Sequence, residues 1–132
     1  MKNNNFLILS ITGDKNYLGL KVNNKFFKHK IQKLNFKNDS IVNIIIKFLK
    51  KHNAKISENY SIIVNLGPGS FSSIRASLTV AKGIKLSCGA KIYGFKDSDL
   101  REFKLENIEF LINKKLVQNK LIKPVYAINY KS

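Results

Sequence analysis

Side chains that could carry chemistry are few in this sequence and stand far apart. The two histidines, His29 and His52, have no carboxylate or cysteine close to them in the sequence, and among the acidic residues only Asp97 and Asp99 form a close pair. General acid–base catalysis needs positioned proton donors and acceptors, and a metal site needs clustered ligands. We therefore expect no catalytic residue and no metal ligand, and we interpret the aspartate pair as a capping turn.

The single cysteine, Cys88, lies at the end of an apolar, helix-like stretch. One cysteine cannot form an intramolecular disulfide, which suits a reducing cytoplasm. We expect a buried, inert thiol. The apolar run near Met1 is too short for the core of a signal peptide, and no segment approaches the length of a membrane span. The expectation is a cytoplasmic protein without a membrane contact.

The charge balance is strongly basic, with 24 Lys and Arg against 8 Asp and Glu in 132 residues. Such a balance favours contact with nucleic acid or another anionic surface. Only Arg75 and Arg101 are arginine, however, and arginine is the better residue for bidentate phosphate and base contacts. A bias toward A+T-rich codons explains the abundance of Lys, Asn and Ile equally well. We expect any contact with nucleic acid to be weak or indirect.

The most informative stretch is a glycine-rich turn between an apolar run, residues 60–66, and a helix-period pattern, residues 71–88. The turn consists of Gly67, Pro68, Gly69, Ser70 and Phe71, and Arg75 follows it by one helical turn. The glycines permit a sharp turn with positive φ angles, and Ser70 or Ser72 can cap the helix. A helix N-terminus can also hold an anion, but the glycine spacing differs from that of nucleotide-binding loops. We favour a structural turn that docks the helix.

Apolar patterns predict the elements on both sides of this turn. Their order is strand, strand, strand, helix, strand, helix, strand, over residues 6–11, 17–22, 26–32, 40–51, 60–66, 71–88 and 91–95. Asn23-Asn24 predicts a two-residue turn between the second and third strands. Residues 108–112 and 116–122 fit either strand or helix, and residues 125–130 predict a final strand. The pattern alone predicts a mixed α/β domain.

Both predicted helices carry more apolar surface than contact with one sheet requires, because such a contact needs a single apolar stripe. The first helix has one face made of Ile41, Ile45 and Phe48, and a second face made of Val42, Ile46 and Leu49. The second helix has Ile74, Leu78 and Ala81 on one face, Ala76, Val80, Gly83 and Ile84 on another, and Arg75, Thr79 and Lys82 on its polar side. Helix-on-helix packing, within the chain or across an interface, explains the surplus; a deep core or codon bias is the alternative.

The turn residues 67–71, followed by Arg75 and by the helix residues Ala81-Lys82-Gly83, resemble the signature of the TsaB family, also called YeaZ. Members of that family are the non-catalytic partner in bacterial tRNA threonylcarbamoyladenosine synthesis. The resemblance implies a lobe of the ribonuclease-H-like, actin and sugar-kinase type α/β fold, a mixed sheet with helices. Family members have two such lobes. We therefore expect residues 1–132 to form a single, truncated TsaB-like N-terminal lobe, with a C-terminal tail over residues 105–132 and the second lobe largely missing.

The resemblance also implies a scaffold that docks on, and activates, the catalytic subunit TsaD through helices 40–51 and 71–88. The signature turn would set the angle of the second helix. The partner interface is expected on Val42, Ile46, Leu49, Arg75, Ala76, Thr79, Val80 and Gly83. Arg75 is expected to reach a carboxylate or a carbonyl. A TsaE-like ATPase is a further candidate partner, and a homodimer is the alternative assembly.

The phosphate-binding carboxylate of the ancestral fold falls on Thr12 in this chain. We therefore expect no cofactor bound by this chain alone, with ATP and metal on the partner subunits. The rival hypotheses are a small basic RNA-associated domain and a homodimeric remnant without a role in tRNA modification. An enzyme of the same fold is a weaker rival, because Thr12 and Lys37 stand where acidic or catalytic side chains are expected.

Overall fold

Three strands come first in the chain, and helices then alternate with strands. The computed structural model describes residues 5–32, 40–114 and 117. In chain order the elements are β1 (Phe6–Ile11), β2 (Asn16–Val22), β3 (Lys25–Lys30), α1 (Ile41–Lys51), β4 (Ser61–Asn65), α2 (Phe71–Cys88), β5 (Lys91–Phe95), a 3-10 turn (Asp97–Asp99) and α3 (Leu105–Asn113). The predicted order is confirmed, and residues 108–112, which fitted either strand or helix, lie in the helix α3. The second such segment, residues 116–122, lies outside the described residues apart from residue 117, and so does the predicted strand 125–130.

The strand β1 is the centre of a five-stranded mixed sheet in the order β3-β2-β1-β4-β5. It pairs antiparallel with β2 and parallel with β4. All six of its residues are buried, which is why its sequence is an almost unbroken apolar run rather than an alternating one. The turn between β2 and β3 is the predicted pair Asn23 and Asn24, with φ angles of 50° and 66°. Asparagine tolerates this left-handed conformation better than most residues.

Each face of the sheet has its own apolar layer, because successive side chains of a strand point to opposite faces. The helices α1 and α2 cover the first layer, to which the strands contribute Leu7, Leu9, Ile11, Leu18, Leu20, Ile62 and Val64. The second layer contains the strand residues Phe6, Ile8, Ile63 and Phe95 and, from the chain after β5, Leu100, Phe103, Ile108 and Leu111. This arrangement is a small α/β lobe with helices on both faces.

An ion pair ties α3 to the second face of the sheet. The Lys21 ammonium in β2 lies 2.7 Å from a carboxylate oxygen of Glu109 in α3. The Lys21 side chain is almost fully buried, whereas that of Glu109 is partly exposed. A buried ammonium without its carboxylate retains the cost of desolvation and loses the attraction that offsets it. The pair therefore helps to fix α3 against β2.

We predict that Glu109→Gln lowers the free energy of unfolding by about 1–3 kcal/mol, since the amide keeps the shape but leaves the buried Lys21 charge unpaired. Urea unfolding followed by circular dichroism measures the loss. Glu106→Gln, an exposed site on the same helix, is the matched control and should change little. Equal stabilities of the two variants would show that the ion pair contributes nothing.

Candidate partner-binding groove and signature turn

The helices α1 and α2 leave an apolar groove between them on the side away from the sheet. The groove encloses 520 Å³. It is lined by Val42, Ile45, Ile46, Leu49, Ala54, Ile56, Thr79, Val80, Gly83, Ile84, Ser87 and Cys88. None of these residues is charged or aromatic. The groove can therefore accept an apolar ridge of another molecule, but it offers no group for acid–base chemistry.

The α1 wall of the groove follows from the spacing of its apolar residues. Ile41, Ile45 and Phe48 are buried against the sheet, as predicted. On the neighbouring stripe, one position further along the chain, Val42 and Ile46 are 40% and 43% exposed. Since the sheet can cover a single stripe of a helix, the second stripe remains outside it. Ser40 begins the helix by accepting a hydrogen bond from the Asn43 N–H at 3.2 Å.

The α2 wall is built from small and half-buried residues. Val80 is half-buried, and Gly83 is exposed. Apart from the adjoining backbone of α2, no atom of the described residues lies within 4 Å of the position that a Gly83 Cβ would take. Thr79, which the sequence placed on the polar side of α2 and in the expected interface, lines the groove. Its hydroxyl donates to the Arg75 carbonyl oxygen at 2.9 Å, so the side chain meets its own hydrogen-bonding need within the helix.

Most of the expected interface residues meet in this groove. Six of them line it, namely Val42, Ile46, Leu49, Thr79, Val80 and Gly83, whereas Arg75 and Ala76 do not. Sequence reasoning placed Ile84 on the same face as Val80 without including it in the interface, and it missed Ile45, Ala54, Ile56, Ser87 and Cys88 as lining residues. The residues at the end of α2 could have been found by continuing the three- and four-residue spacing from Val80. Ala54 and Ile56 lie in the loop after α1, where no helical period indicates their direction.

The thiol of Cys88 is half-buried, not fully buried as the sequence predicts. Its sulfur donates to the Ile84 carbonyl oxygen at 3.2 Å. The difference arises because Cys88 faces the groove between the helices and not the sheet beneath α2. Gly89 ends the helix directly after it, with a φ of 80° that suits glycine.

The signature turn lies between the end of β4 and the start of α2. The peptide bond between Gly67 and Pro68 is cis, and Gly67 has a φ of 94°. Ser70 is the N-cap of α2, and its hydroxyl accepts from the Ser73 N–H at 3.4 Å. Of the two capping candidates, Ser70 therefore fills the role, and Ser72 lies in the first turn of the helix.

The turn is pressed directly against the end of β1. A Cβ on Gly69 would lie 2.7 Å from both the Cβ and the carbonyl oxygen of Thr12, so only glycine fits there. Next to it, the Ser70 N–H donates to the Thr12 carbonyl oxygen at 2.7 Å. Thr12 itself is buried. Thr12 thus anchors the signature turn to the end of β1.

The buried amide of Asn65, at the end of β4, links three segments around the turn. Its nitrogen donates to Ser10 Oγ at 3.0 Å and to Asp97 Oδ1 at 2.9 Å, and its oxygen accepts from the Gly67 N–H at 2.9 Å. The side chain is 1% exposed. Sequence reasoning missed this residue, although an asparagine between an apolar strand and a Gly-Pro turn is itself a signal. The network also explains Asp97, which begins the predicted capping turn.

Arg75 lies beside the signature turn and outside the groove. Its guanidinium carbon is 5.6 Å from the centre of the Phe71 ring, within the range of a cation–π contact. The side chain is exposed. The expected contact of Arg75 with a carboxylate or carbonyl of a partner stays a prediction.

One histidine lies on the surface and the other at a helix end. His29 is exposed in β3. His52 ends α1, and its ring stacks on Phe27 with centroids 4.1 Å apart. Burial, together with the neighbouring Lys51 charge, lowers the pKa of His52. Among the described residues, no group of three or more His, Cys, Asp and Glu side chains could hold a metal ion. Nor does any helix in that part of the chain have the length and hydropathy needed to cross a bilayer.

This geometry has solved counterparts. YeaZ from Pseudomonas aeruginosa matches with a TM-score of 0.60 at 15% sequence identity. A crystal structure of an uncharacterized protein with similarity to peptidase YEAZ from Pseudomonas aeruginosa matches with a TM-score of 0.59 at 16% identity. The chain has a YeaZ-type fold. The resemblance based on the signature turn is thereby confirmed at the level of the fold.

The match to the YeaZ structures covers only part of this chain and only part of the solved chains. It covers 72% of this chain and 44% of each of the two solved chains, so the chain spans less than half the length of these structures. No family model matches the sequence, and neither does any curated protein at a significant level. The likeness to YeaZ therefore rests on three-dimensional structure together with the signature residues.

Two glycines of the YeaZ-type lobe should respond in opposite ways to alanine. Gly69→Ala should lower the free energy of unfolding by about 2 kcal/mol, because the new methyl group would overlap backbone and side-chain atoms of Thr12. Gly83→Ala should raise it by roughly 0.5–1 kcal/mol, since α2 gains helix propensity and the methyl group meets no neighbour. Chemical unfolding of both variants tests this. A neutral Gly69→Ala would disprove the tight contact between the turn and β1.

Proposed function

We propose that this chain is a TsaB-like scaffold subunit of the tRNA threonylcarbamoyladenosine synthesis machinery. It acts without catalytic residues of its own, docking on a TsaD-like catalytic subunit and activating it. The observation that supports this proposal best is the uncharged groove between α1 and α2, on a YeaZ-type fold that carries the Gly67-Pro68-Gly69 turn at the start of α2.

Docking at the groove has a clear physical basis. Val42 and Ile46 are exposed beside the half-buried Leu49 and Val80, which gives one continuous apolar surface. Covering such side chains removes apolar area from water, at about 25 cal/mol per Å². The exposed Gly83 lets a partner helix approach the backbone of α2 closely. Side chains in well-packed, desolvated pockets usually dominate the energy of an interface.

The signature turn has an indirect part in this proposal. The contacts of Gly69 and Ser70 with Thr12 fix the first residue of α2 relative to β1. The position of α2 on the sheet in turn sets the width of the groove. We propose that the turn positions the docking helix and does not touch tRNA or nucleotide. ATP and metal are bound by the partner subunits, a TsaD-like protein and a TsaE-like ATPase, in the cytoplasm.

A second candidate function is supported by the net charge of +16, which favours a small basic RNA-associated domain. Lysine supplies most of that charge, and lysine reads phosphate and bases less specifically than arginine. The apolar groove has no use in such a domain. We therefore place tRNA contact second, as a weak or indirect addition to docking.

The decisive experiment is co-expression with the TsaD protein of the same organism, followed by size-exclusion chromatography with light scattering. We expect a stable complex, and we expect Ile46→Asp to abolish it, because a carboxylate in the apolar groove would be buried without a partner. Circular dichroism of the isolated variant should match that of the wild type, since Ile46 is 43% exposed in the free chain.

Phe110→Asp provides the matched control. Phe110 is 57% exposed on α3, which packs on the other face of the sheet, and it does not line the groove, so the same charge there should leave assembly intact. A complex that survives Ile46→Asp, or is lost equally in both variants, contradicts docking at the groove. An Ile46→Asp variant that fails to fold would assign Ile46 to the core instead.

A further inference from the structure

The apolar groove has a rim of basic side chains. Two exposed lysines stand on α1: Lys47 directly follows Ile46, and Lys50 lies one turn after it. Lys55 is exposed between two residues that line the groove. On α2, the exposed Arg75 and Lys82 lie one turn before and one turn after the groove residue Thr79. Positive charge thus flanks the groove along both of its walls.

This rim has almost no acidic counterpart. Glu58 is the one acidic residue between positions 40 and 96, and its Cβ lies 3.7 Å from the Cβ position of Gly89, past the end of α2. Within residues 5–32 and 40–114, the one ion pair joins Lys21 and Glu109 on the opposite face of the sheet. The rim charges are therefore not neutralised by carboxylates of the described chain. Covering the groove brings them into a less polar setting, where they interact more strongly with any charge that faces them.

We propose that the groove selects a partner whose apolar ridge is flanked by carboxylates, and that it disfavours a second copy of this chain. The proposal rests on the proposed function for the identity of the partner as a TsaD-like subunit, and it adds the chemistry of the surface that this partner must present. A symmetric pair of copies would bring the same surface patch together. Two basic rims would then face each other, and like charges at an interface oppose association.

Nucleic acid fits this surface less well than an acidic protein ridge does. Single-stranded RNA is bound by aromatic side chains that stack on bases, combined with cationic grooves that follow the phosphates. Here the groove contains no aromatic and no charged residue, and its cations stand at the edges. A ridge with apolar residues in the middle and carboxylates at the sides matches both features at once.

Added salt should affect the complex with TsaD and the homodimer in opposite directions, because it screens both attraction and repulsion between charges. The affinity of the complex with TsaD should fall roughly tenfold between about 0.05 M and about 0.5 M NaCl. Self-association of the isolated chain, measured by sedimentation velocity, should increase over the same range. A complex with unchanged affinity, or a homodimer that weakens with added salt, would overturn the proposal.

Charge reversal gives an independent measurement at constant ionic strength. The double variant Lys50→Glu with Lys82→Glu should weaken the TsaD complex by more than roughly tenfold, mainly through a slower association rate. Lys104→Glu with Lys114→Glu makes the same change in net charge at the two ends of α3, on the other face of the sheet, and should bind like the wild type. Equal binding by both double variants overturns the proposal while leaving TsaD docking in place.

A peptide probe keeps the inference testable if no TsaD complex forms, in which case the proposed function itself fails. The probe is a helical peptide with a leucine stripe flanked by glutamates, and its twin carries lysines instead. The acidic peptide should bind the wild type and lose affinity for both Ile46→Asp and the Lys50→Glu, Lys82→Glu variant. Equal binding of the twins, or no binding of either, overturns the inference. Binding of tRNA that needs the lysines but not Ile46 would assign the rim to nucleic acid and overturn it as well.

Discussion

The contact between the signature turn and the end of β1 is the constraint on which the rest of the structure depends. Gly69 lies so close to Thr12 that no side chain fits between them, and the Ser70 N–H closes the contact with a 2.7 Å hydrogen bond. The buried Asn65 amide joins the same turn to β1 and to the residues after β5. Because Ser70 is also the N-cap of α2, these bonds fix where the helix starts.

The groove exists because α1 and α2 carry more apolar surface than one face of the sheet can cover. The central strand β1 has its two faces covered by separate layers, so α1 and α2 need one apolar stripe each to cover the first layer. Both helices carry a second stripe, and the two second stripes meet between them. Neither the sheet nor the described part of the chain beyond α2 fills the space. An apolar surface that the fold leaves open is the usual mark of an interaction site.

Much of the fold was accessible from the sequence, because periodicity reports burial directly. The unbroken apolar run of β1 and the two-face pattern of α1 predicted their surroundings correctly. Contacts that depend on chain folding at a distance were not accessible. The three bonds of Asn65 involve residues up to 55 positions away, and Ala54 and Ile56 reach the groove from the loop after α1. The burial of Cys88 was predicted wrongly for the same reason. Helical spacing shows which way a side chain points from α2, but it does not show what the side chain meets there.

Gly83 provides an internal argument for the proposed docking at the groove. Glycine inside a helix costs roughly 0.5–1 kcal/mol relative to alanine, and a fold keeps it where a side chain would collide. At Gly69 that reason is present, whereas at Gly83 a Cβ would meet nothing within 4 Å. The described residues therefore provide no steric reason for the glycine. A partner backbone lying close to α2 would provide one, since small residues are what permit close approach between helices. The same residue that weakens α2 in the free chain thus fits its role in the proposed complex.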